Sequence, residues 1–187
     1  MNRFIIEDTP DAIARSLCDQ HIVKMPLEEA QMLCTAVWFH RPDIHEQLDL
    51  YKPCHINTKY HKLNKAVMES GRGKLEVTGH PCTLWAMETR ANYTFAFKLY
   101  DAMLREYNWR YDKIHGASKH WGSLWNARHL IPEGLMTEHP QCFSGHDDCK
   151  TDEVWPILAY RAFYTLDKSS FARYNKGRNK PQWMKGE

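Results

Sequence analysis

The chain has 187 residues, a length that suits one domain able to bury a core without disulfides. Its composition, 43% apolar and 26% charged, excludes a disordered protein, and no apolar run approaches the about 20 residues that a membrane span needs. The N-terminus lacks the pattern of a secretory signal. We therefore expect no membrane association, a cytoplasmic location and reduced cysteines.

Capping residues and apolar periodicity predict the helices of the first half. Thr9 caps a helix that begins at Pro10 and is predicted to run to about His40. Pro26 lies inside this pattern, so we expect a kink near Ile22–Met25. The following segments are predicted as a short helix over 43–51, a loop over 52–60, a helix over 61–69 and a glycine-rich connector over 70–79.

The second half is predicted to begin with the longest helix. His80-Pro81 starts an aromatic-rich periodic pattern that extends to about Arg110. The later segments are predicted as a helix over 118–128, a long irregular loop, a helix over 152–165 and a short helix over 169–174. Residues 2–6 form a short strand or an extended arm. Together these elements predict a compact, irregular all-α single domain over 1–187, with a long kinked first helix and a loop-rich C-terminal part.

The formal charge of +2 is unevenly distributed along the chain. Residues 168–187 hold six basic residues and one acidic residue, a charge of +5 that leaves −3 on the remainder. Phe171, Tyr174 and Trp183 are interleaved with these basic residues, a pattern typical of phosphate binding combined with base stacking. The tail is therefore predicted to bind a polyanion, or else it is a solvated terminus.

A polar stripe follows the first predicted helix. On a helical wheel His21, Lys24, Glu28, Gln31 and Thr35 fall within a sector of roughly 80°, and most of the remaining wheel is apolar. If the stripe faces a cleft, partial burial shifts the pKa values of its titratable groups, as acid–base or Schiff-base chemistry requires. If it faces solvent, Lys24 and Glu28 form only a weak surface pair.

Other polar residues have two interpretations each. His55 and Asn57 lie in a polar loop that either lines the site or is held by its own side chains. Arg90 is expected to pair with Glu28 or to bind a phosphate, with an ion pair to Glu88 or another neighbour as the alternative. The loop residues with zinc-ligand chemistry are His139, Cys142, His146 and Cys149. Their spacing lacks the usual zinc knuckle, and we predict no metal and no other cofactor.

The chain resembles the pyrimidine-dimer DNA glycosylases, the endonuclease V type of a T-even phage. The shared features are Arg3, the block Asp19-Gln20-His21, Glu28 seven residues after that histidine, the His80-Pro81 helix start, and Pro181, Trp183 and Lys185 in a Pro-x-Trp-x-Lys motif. The chain is also similar to uncharacterised phage-encoded proteins with a Cys-Asp-x-His-x-Val-Lys-Met block. If it is phage-encoded, the cytoplasm is that of the host.

The resemblance implies a DNA N-glycosylase that acts on a damaged or modified pyrimidine in duplex DNA, with or without abasic-site lyase activity. Such an enzyme serves DNA repair or DNA modification, and we favour a monomer. The implied catalytic residues are Glu28, the main carboxylate, and His21. Contacts to DNA or substrate are expected from Asn2, Arg3, His55, Asn57, His80, Arg90, Trp183 and Lys185.

The nucleophile is the point at which the chain departs from the family. The family uses the amine of residue two, exposed by removal of the initiator methionine before a small residue. Asn2 is too large for efficient removal, so the amine of Met1, Lys24 or no amine serves here. The alternative functions are an enzyme of the same fold that acts on free nucleotides or another modified base, and a non-catalytic DNA-binding or host-interaction protein.

Overall fold

The computed structural model describes residues 3–50, 80–143 and 145–185, and the predicted all-α class is confirmed there. The α-helices of these residues are α1 (Pro10–Ser16), α2 (Asp19–His40), α3 (Pro42–Gln47), α4 (Pro81–Glu88), α5 (Arg90–Tyr111), α6 (Trp121–Ala127) and α7 (Ile157–Phe163). No strand occurs within the described ranges. The loop predicted over 52–60 and the helix predicted over 61–69 lie outside them.

The first predicted helix is two helices, because the chain is extended at Leu17 and Cys18. The amide of Cys18 donates to the hydroxyl of Tyr164 at 3.0 Å, and the amide of Asp19 donates to the carbonyl of Arg173 at 2.8 Å. These partners lie far away in the sequence, so local propensity does not reveal the break. Helix α2 continues past Pro26, and the break lies earlier than the predicted kink.

The second long helix is also divided. Thr89 has extended backbone, with φ −137° and ψ 155°, as is typical of a cap, and its hydroxyl accepts from the amide of Asn92 at 3.1 Å. The amide of Arg90 donates to the carbonyl of Pro132 at 2.7 Å. The continuous helix predicted from His80 to Arg110 is therefore wrong at this point, where α4 ends and α5 begins.

Helix α2 lies at the centre of the molecule. It packs against α5, α4 and α3, and α1 packs on the outer part of α5. Buried side chains from α1, α2, α4 and α5 form a continuous apolar core with the extended arm at Phe4, Ile5 and Ile6. Among the described helices, none has the length and apolarity of a membrane-spanning segment.

The C-terminal part is loop-rich, as predicted. Helix α7 passes into a wider π-type turn over Tyr164–Lys168, and the predicted helix over 169–174 does not form. A few side chains hold the described part of the basic tail against the body, while Arg173, Lys176, Lys180 and Lys185 remain exposed. The hydroxyl of Tyr174 donates to the carbonyl of Ser16 at 3.0 Å, and Arg178 binds both oxygens of Glu106 at 2.8 Å. Tertiary hydrogen bonds therefore hold this segment against α1 and α5.

Candidate functional site

A cleft of about 690 Å³ opens beside the N-terminal half of α2. Its walls come from the arm, α2, the start of α4, the loop near residue 142 and the turn after α7. The lining residues are Phe4, His21, Lys24, Met25, His80, Pro81, Cys142, Phe143, Gly145, Asp147, Lys150, Phe163, Asp167 and Lys168. The structure thus brings three predicted site residues, His21, Lys24 and His80, to one cavity.

His21 is a buried, neutral imidazole in the floor of this cleft. Burial, with smaller contributions from Lys168 and Lys24, lowers the pKa of His21 to about 3. Its Nδ1 lies 2.7 Å from the hydroxyl of Tyr164, and that oxygen accepts from the Cys18 amide. We therefore assign the hydroxyl proton to the bond with Nδ1, which leaves the imidazole proton on Nε2.

Glu28 lies one helical turn beyond Lys24 on α2 and is not among the residues that line the cleft. Its Oε1 is 3.2 Å from Nζ of Lys24, and the two side chains are 13% and 66% exposed, respectively. Its Oε2 is buried and has no hydrogen-bond partner among the described residues. Burial raises the pKa of the Glu28 carboxyl, and Lys24 opposes this shift. The arrangement keeps a partly desolvated carboxylate beside an exposed ammonium group.

Aromatic rings in near-parallel orientation form one wall of the cleft. The ring of His21 stacks on Phe4 at 4.9 Å, Phe4 is 6.3 Å from Phe163, and Phe163 stacks on Phe143 at 4.8 Å. The interplanar angles are 21°, 21° and 24°. Nζ of Lys168 lies 5.2 Å from the centre of the Phe163 ring. Flat apolar surface and ammonium groups therefore meet in one cavity.

Cations and carboxylates alternate at the cleft mouth. Lys150 binds Asp147 at 2.6 Å, and Lys168 pairs with Asp167. Interaction with Lys168 lowers the pKa of Asp167, and interaction with Lys150 lowers that of Asp147. Both carboxyls are thus ionised at neutral pH, so the lysines are partly neutralised by their neighbours.

Beside the cleft, two sulfur atoms that are distant in the sequence lie close together. The ring nitrogen Nδ1 of His80 accepts from the amide of Cys82 at 3.2 Å at the start of α4. The Sγ atoms of Cys82 and Cys142 are 3.6 Å apart. Burial opposes ionisation of Cys82, but hydrogen bonds with Cys142 and His80 outweigh it, so the pKa of Cys82 is well below its usual value. The hydrogen bond between the two thiols raises the pKa of Cys142.

The four loop residues considered for zinc do not assemble. The side chain of His146 lies 3.5 Å from Asp167, and neither His146 nor Cys149 belongs to the ligand cluster found in the described residues. The ligand cluster found in the described part of the chain combines Cys142 with His80 and Cys82 instead. The His-x-Cys spacing at 80–82 is the one sequence signal that could have indicated this cluster. The second thiol, Cys142, lies 60 residues after Cys82, so the sequence does not link the two.

The expectation that Arg3 contacts DNA is wrong in this structure. Arg3 and Glu29 are both 0% exposed and form an ion pair with a shortest distance of 2.5 Å. The Arg3 amide also donates to Sγ of Cys82 at 3.4 Å, and its Nη1 donates to the carbonyl of Cys82 at 3.2 Å. Arg3 therefore supports the wall of the cleft from behind.

Other predicted residues lie away from the cleft. Arg90 pairs with Glu133 at 2.8 Å beside a second cavity of about 510 Å³, so the expected pair with Glu28 is wrong. Trp183 donates from its indole nitrogen to Glu7 at 2.8 Å, which ties down the tail, and Lys185 is exposed. The remaining predicted positions, Met1, Asn2, His55 and Asn57, lie outside the described residues.

Comparison with protein families, with curated proteins and with solved structures found no match to this chain.

Proposed function

We propose that the protein cleaves the N-glycosidic bond of a damaged or modified pyrimidine in DNA. The observation that carries this proposal is the cleft beside α2, where Lys24, the ion-pair partner of Glu28, meets an aromatic wall. Carboxylate, amine and flat apolar surface are the groups that recognition and excision of a base require. The resemblance in the spacing of His21 and Glu28 supports the same assignment.

The dimensions of the cleft suit an extruded nucleotide. Its volume of about 690 Å³ lies within the range of about 300–1,000 Å³ that is typical of small-ligand sites. A base outside the duplex would contact the aromatic lining at Phe4 and Phe163, which pack against each other and are each 4% exposed. Lys168 and Lys150 at the mouth provide cations for the flanking phosphates.

Glu28 is the group we assign to charge stabilisation. As the bond from C1′ to the base nitrogen breaks, positive charge develops on the sugar, and a nearby carboxylate stabilises it. Desolvation of Oε2 strengthens this interaction because few other dipoles compete for the oxygen. Lys24 favours the ionised form of Glu28 at the pH where the reaction runs.

The product of the reaction depends on whether an amine or water attacks C1′. A neutral amine would form a bond to C1′ while the base leaves with the bonding electrons and takes up a proton. The nitrogen would then lose a proton, the C1′–O4′ bond would break with O4′ taking up a proton, and the C=N bond of a Schiff base would form. Lys24 and the amine at Met1 are the candidates. Without such attack, water adds to C1′ and the enzyme is a simple hydrolase.

A free nucleotide is the second candidate substrate. Because Lys150 and Lys168 pair with aspartates, the cleft carries less positive charge than a surface that tracks many phosphates. The two substrates differ in their salt response. Binding of DNA through several phosphates weakens steeply as salt rises, whereas binding of one nucleotide depends weakly on salt.

The test combines base release with borohydride trapping on duplex DNA. Duplexes that carry different modified pyrimidines, or an abasic site, are incubated with wild type, Glu28→Gln and Lys24→Ala. Asp101→Asn is the matched control, because Asp101 is ion-paired to Arg105 at 3.0 Å on α5 and does not line the cleft. We expect Glu28→Gln to lose base release while it retains DNA binding.

The outcomes separate the proposed chemistry from its alternatives. A borohydride adduct that Lys24→Ala abolishes identifies Lys24 as the nucleophile, and one that survives points to the terminal amine. Base release without an adduct indicates a hydrolase. If wild type binds DNA but releases no base from any duplex, the glycosylase proposal is refuted.

A further inference from the structure

Three side chains around the start of α4 form a compact group of metal-ligand atoms. One atom each from His80, Cys82 and Cys142 lies within 4.8 Å of the other two. The sulfur atoms are 3.6 Å apart. Two thiolates bound at about 2.3 Å to a tetrahedral zinc ion stand about 3.8 Å apart, whereas a disulfide requires about 2.05 Å. The observed separation is therefore close to that of two ligands on one ion.

Rigid elements on both sides hold these ligand atoms. His80 and Cys82 occupy the first turn of α4, where the hydrogen bond between them fixes the ring. Cys142 lies on a loop whose neighbours are anchored. The carbonyl of Pro140 accepts from the hydroxyl of Tyr160 at 2.7 Å, and the amide side chain of Gln141 donates to the carbonyl of Thr151 at 2.6 Å.

The surroundings of Cys82 are suited to a thiolate that binds a cation. The backbone amide of Arg3 donates to its Sγ at 3.4 Å, a contact that orients the sulfur. The positive charge of the Arg3 guanidinium is already neutralised by its ion pair with Glu29 at 2.5 Å. Two thiolates and one divalent ion are together neutral, so occupancy adds no net charge to this partly buried wall.

A buried histidine lies beside the cluster. His139 is 0% exposed and packs between Trp85 at 4.8 Å and Tyr160 at 5.6 Å. It interacts electrostatically with Cys82, although it is not one of the three residues whose ligand atoms meet. His139 therefore adds a polar group beside the cluster, and the three clustered ligand atoms carry the metal assignment.

We propose that His80, Cys82 and Cys142 bind a divalent metal ion that prefers thiolate and imidazole ligands, with zinc as the first candidate. This assignment replaces the expectation of no metal and no cofactor. It stands on the cluster alone and does not depend on whether the protein cleaves glycosidic bonds.

The ligand set determines what kind of metal site this is. Three protein ligands leave one tetrahedral position for water or substrate, which is the arrangement of catalytic rather than structural zinc sites. His80 and Cys142 both line the cleft, so that position belongs to the same cavity as Lys24. A water bound there would have its pKa lowered toward neutrality and would be available to a ligand in the cleft.

Cobalt titration tests this assignment without any enzymatic assay. The full chain is reduced, stripped with a chelator and titrated with Co²⁺, and thiolate coordination is followed by the near-ultraviolet charge-transfer absorbance. We expect stoichiometric binding that Zn²⁺ displaces. Cys82→Ser and Cys142→Ser should weaken binding more than about 100-fold, the upper range for losing a residue that only orients a ligand. Cys149→Ser, a thiol outside the cluster, should bind as wild type does.

The measurement is decisive because folding is monitored separately by circular dichroism. Cys142 is only partly buried, so its substitution perturbs the core less than that of Cys82. The proposal is overturned if the reduced, folded wild type shows no charge-transfer band. It is equally overturned if folded Cys142→Ser retains the full band, or if a Cys82–Cys142 disulfide forms in a protein whose reduced state takes up no cobalt.

Discussion

The buried ion pair of Arg3 and Glu29 allows a quantitative test of the wall behind the cleft. Both side chains are 0% exposed, and Nε of Arg3 donates to the two oxygens of Glu29 at 3.0 and 3.1 Å. We expect either single change, Arg3→Met or Glu29→Leu, to lower the free energy of unfolding by about 3–5 kcal/mol, because it leaves the other charge buried without a partner.

The double variant should behave differently from the sum of the single variants. Arg3→Met combined with Glu29→Leu removes both charges, and such replacements are often neutral. Loss of the Arg3 hydrogen bond to the carbonyl of Cys82 leaves that acceptor unsatisfied, which costs about 1–3 kcal/mol. The double variant should therefore be within about 3 kcal/mol of wild type, whereas independent effects would sum to about 6–10 kcal/mol.

Urea unfolding of the four proteins in the cycle gives the coupling free energy. In thermal melts, a single substitution should lower the midpoint by about 6–20 °C, since about 2–4 °C corresponds to each kcal/mol in a chain of this size. Asp43→Asn breaks the exposed pair with Arg41 and serves as the control with little expected effect. Additive single effects, or single effects no larger than that of the control, would refute the reasoning.

Three further predictions concern charge and backbone geometry. Burial opposes ionisation of Glu106, but Arg178 and Arg110 outweigh it and lower the pKa of this carboxyl, so the stability that its ion pairs contribute is lost as pH falls through that pKa. In urea unfolding, Glu106→Gln should therefore be less stable than wild type at pH 7 but equally stable in acid. Gly145 and Gly177 both have positive φ, so alanine is strained at either position. Gly177→Ala should nevertheless unfold at a lower urea concentration than Gly145→Ala, because only a Cβ at 177 would meet a neighbour, the Trp109 ring at 2.8 Å. Lys24→Met should raise the pKa of the Glu28 carboxyl, measured by carbon-detected NMR titration, and an unchanged pKa would remove Lys24 as its partner.

Parts of the candidate site were predictable because they lie on one helix. His21, Lys24 and Glu28 recur at intervals of three, four and seven residues, so helical geometry alone places them on one side of α2. The structure adds that this side borders a cleft for His21 and Lys24, whereas Thr35 at the far end of the same stripe is buried. A helical wheel shows on which side of the helix a residue lies, but it does not show which other segment packs against that side.

Residues whose roles depend on distant partners were not predictable in this way. Arg3 was expected to contact DNA or substrate, yet Glu29 and Cys82 supply buried partners that its position in the sequence does not indicate. Cys142 was grouped with its neighbours in the loop, although the thiol that it meets lies 60 residues earlier. Both outcomes follow from how the arm and the loop pack against α4.

The sequence by itself determined the all-α class and the cap at Thr9, because capping and apolar periodicity act between residues within a few positions of each other. Only the tertiary structure decided where the helices break and which polar groups meet. Leu17 and Thr89 end or separate helices because distant carbonyl and hydroxyl groups bind the adjacent backbone amides. The cleft and the cluster at Cys82 exist for the same reason, since both join segments that only packing brings together.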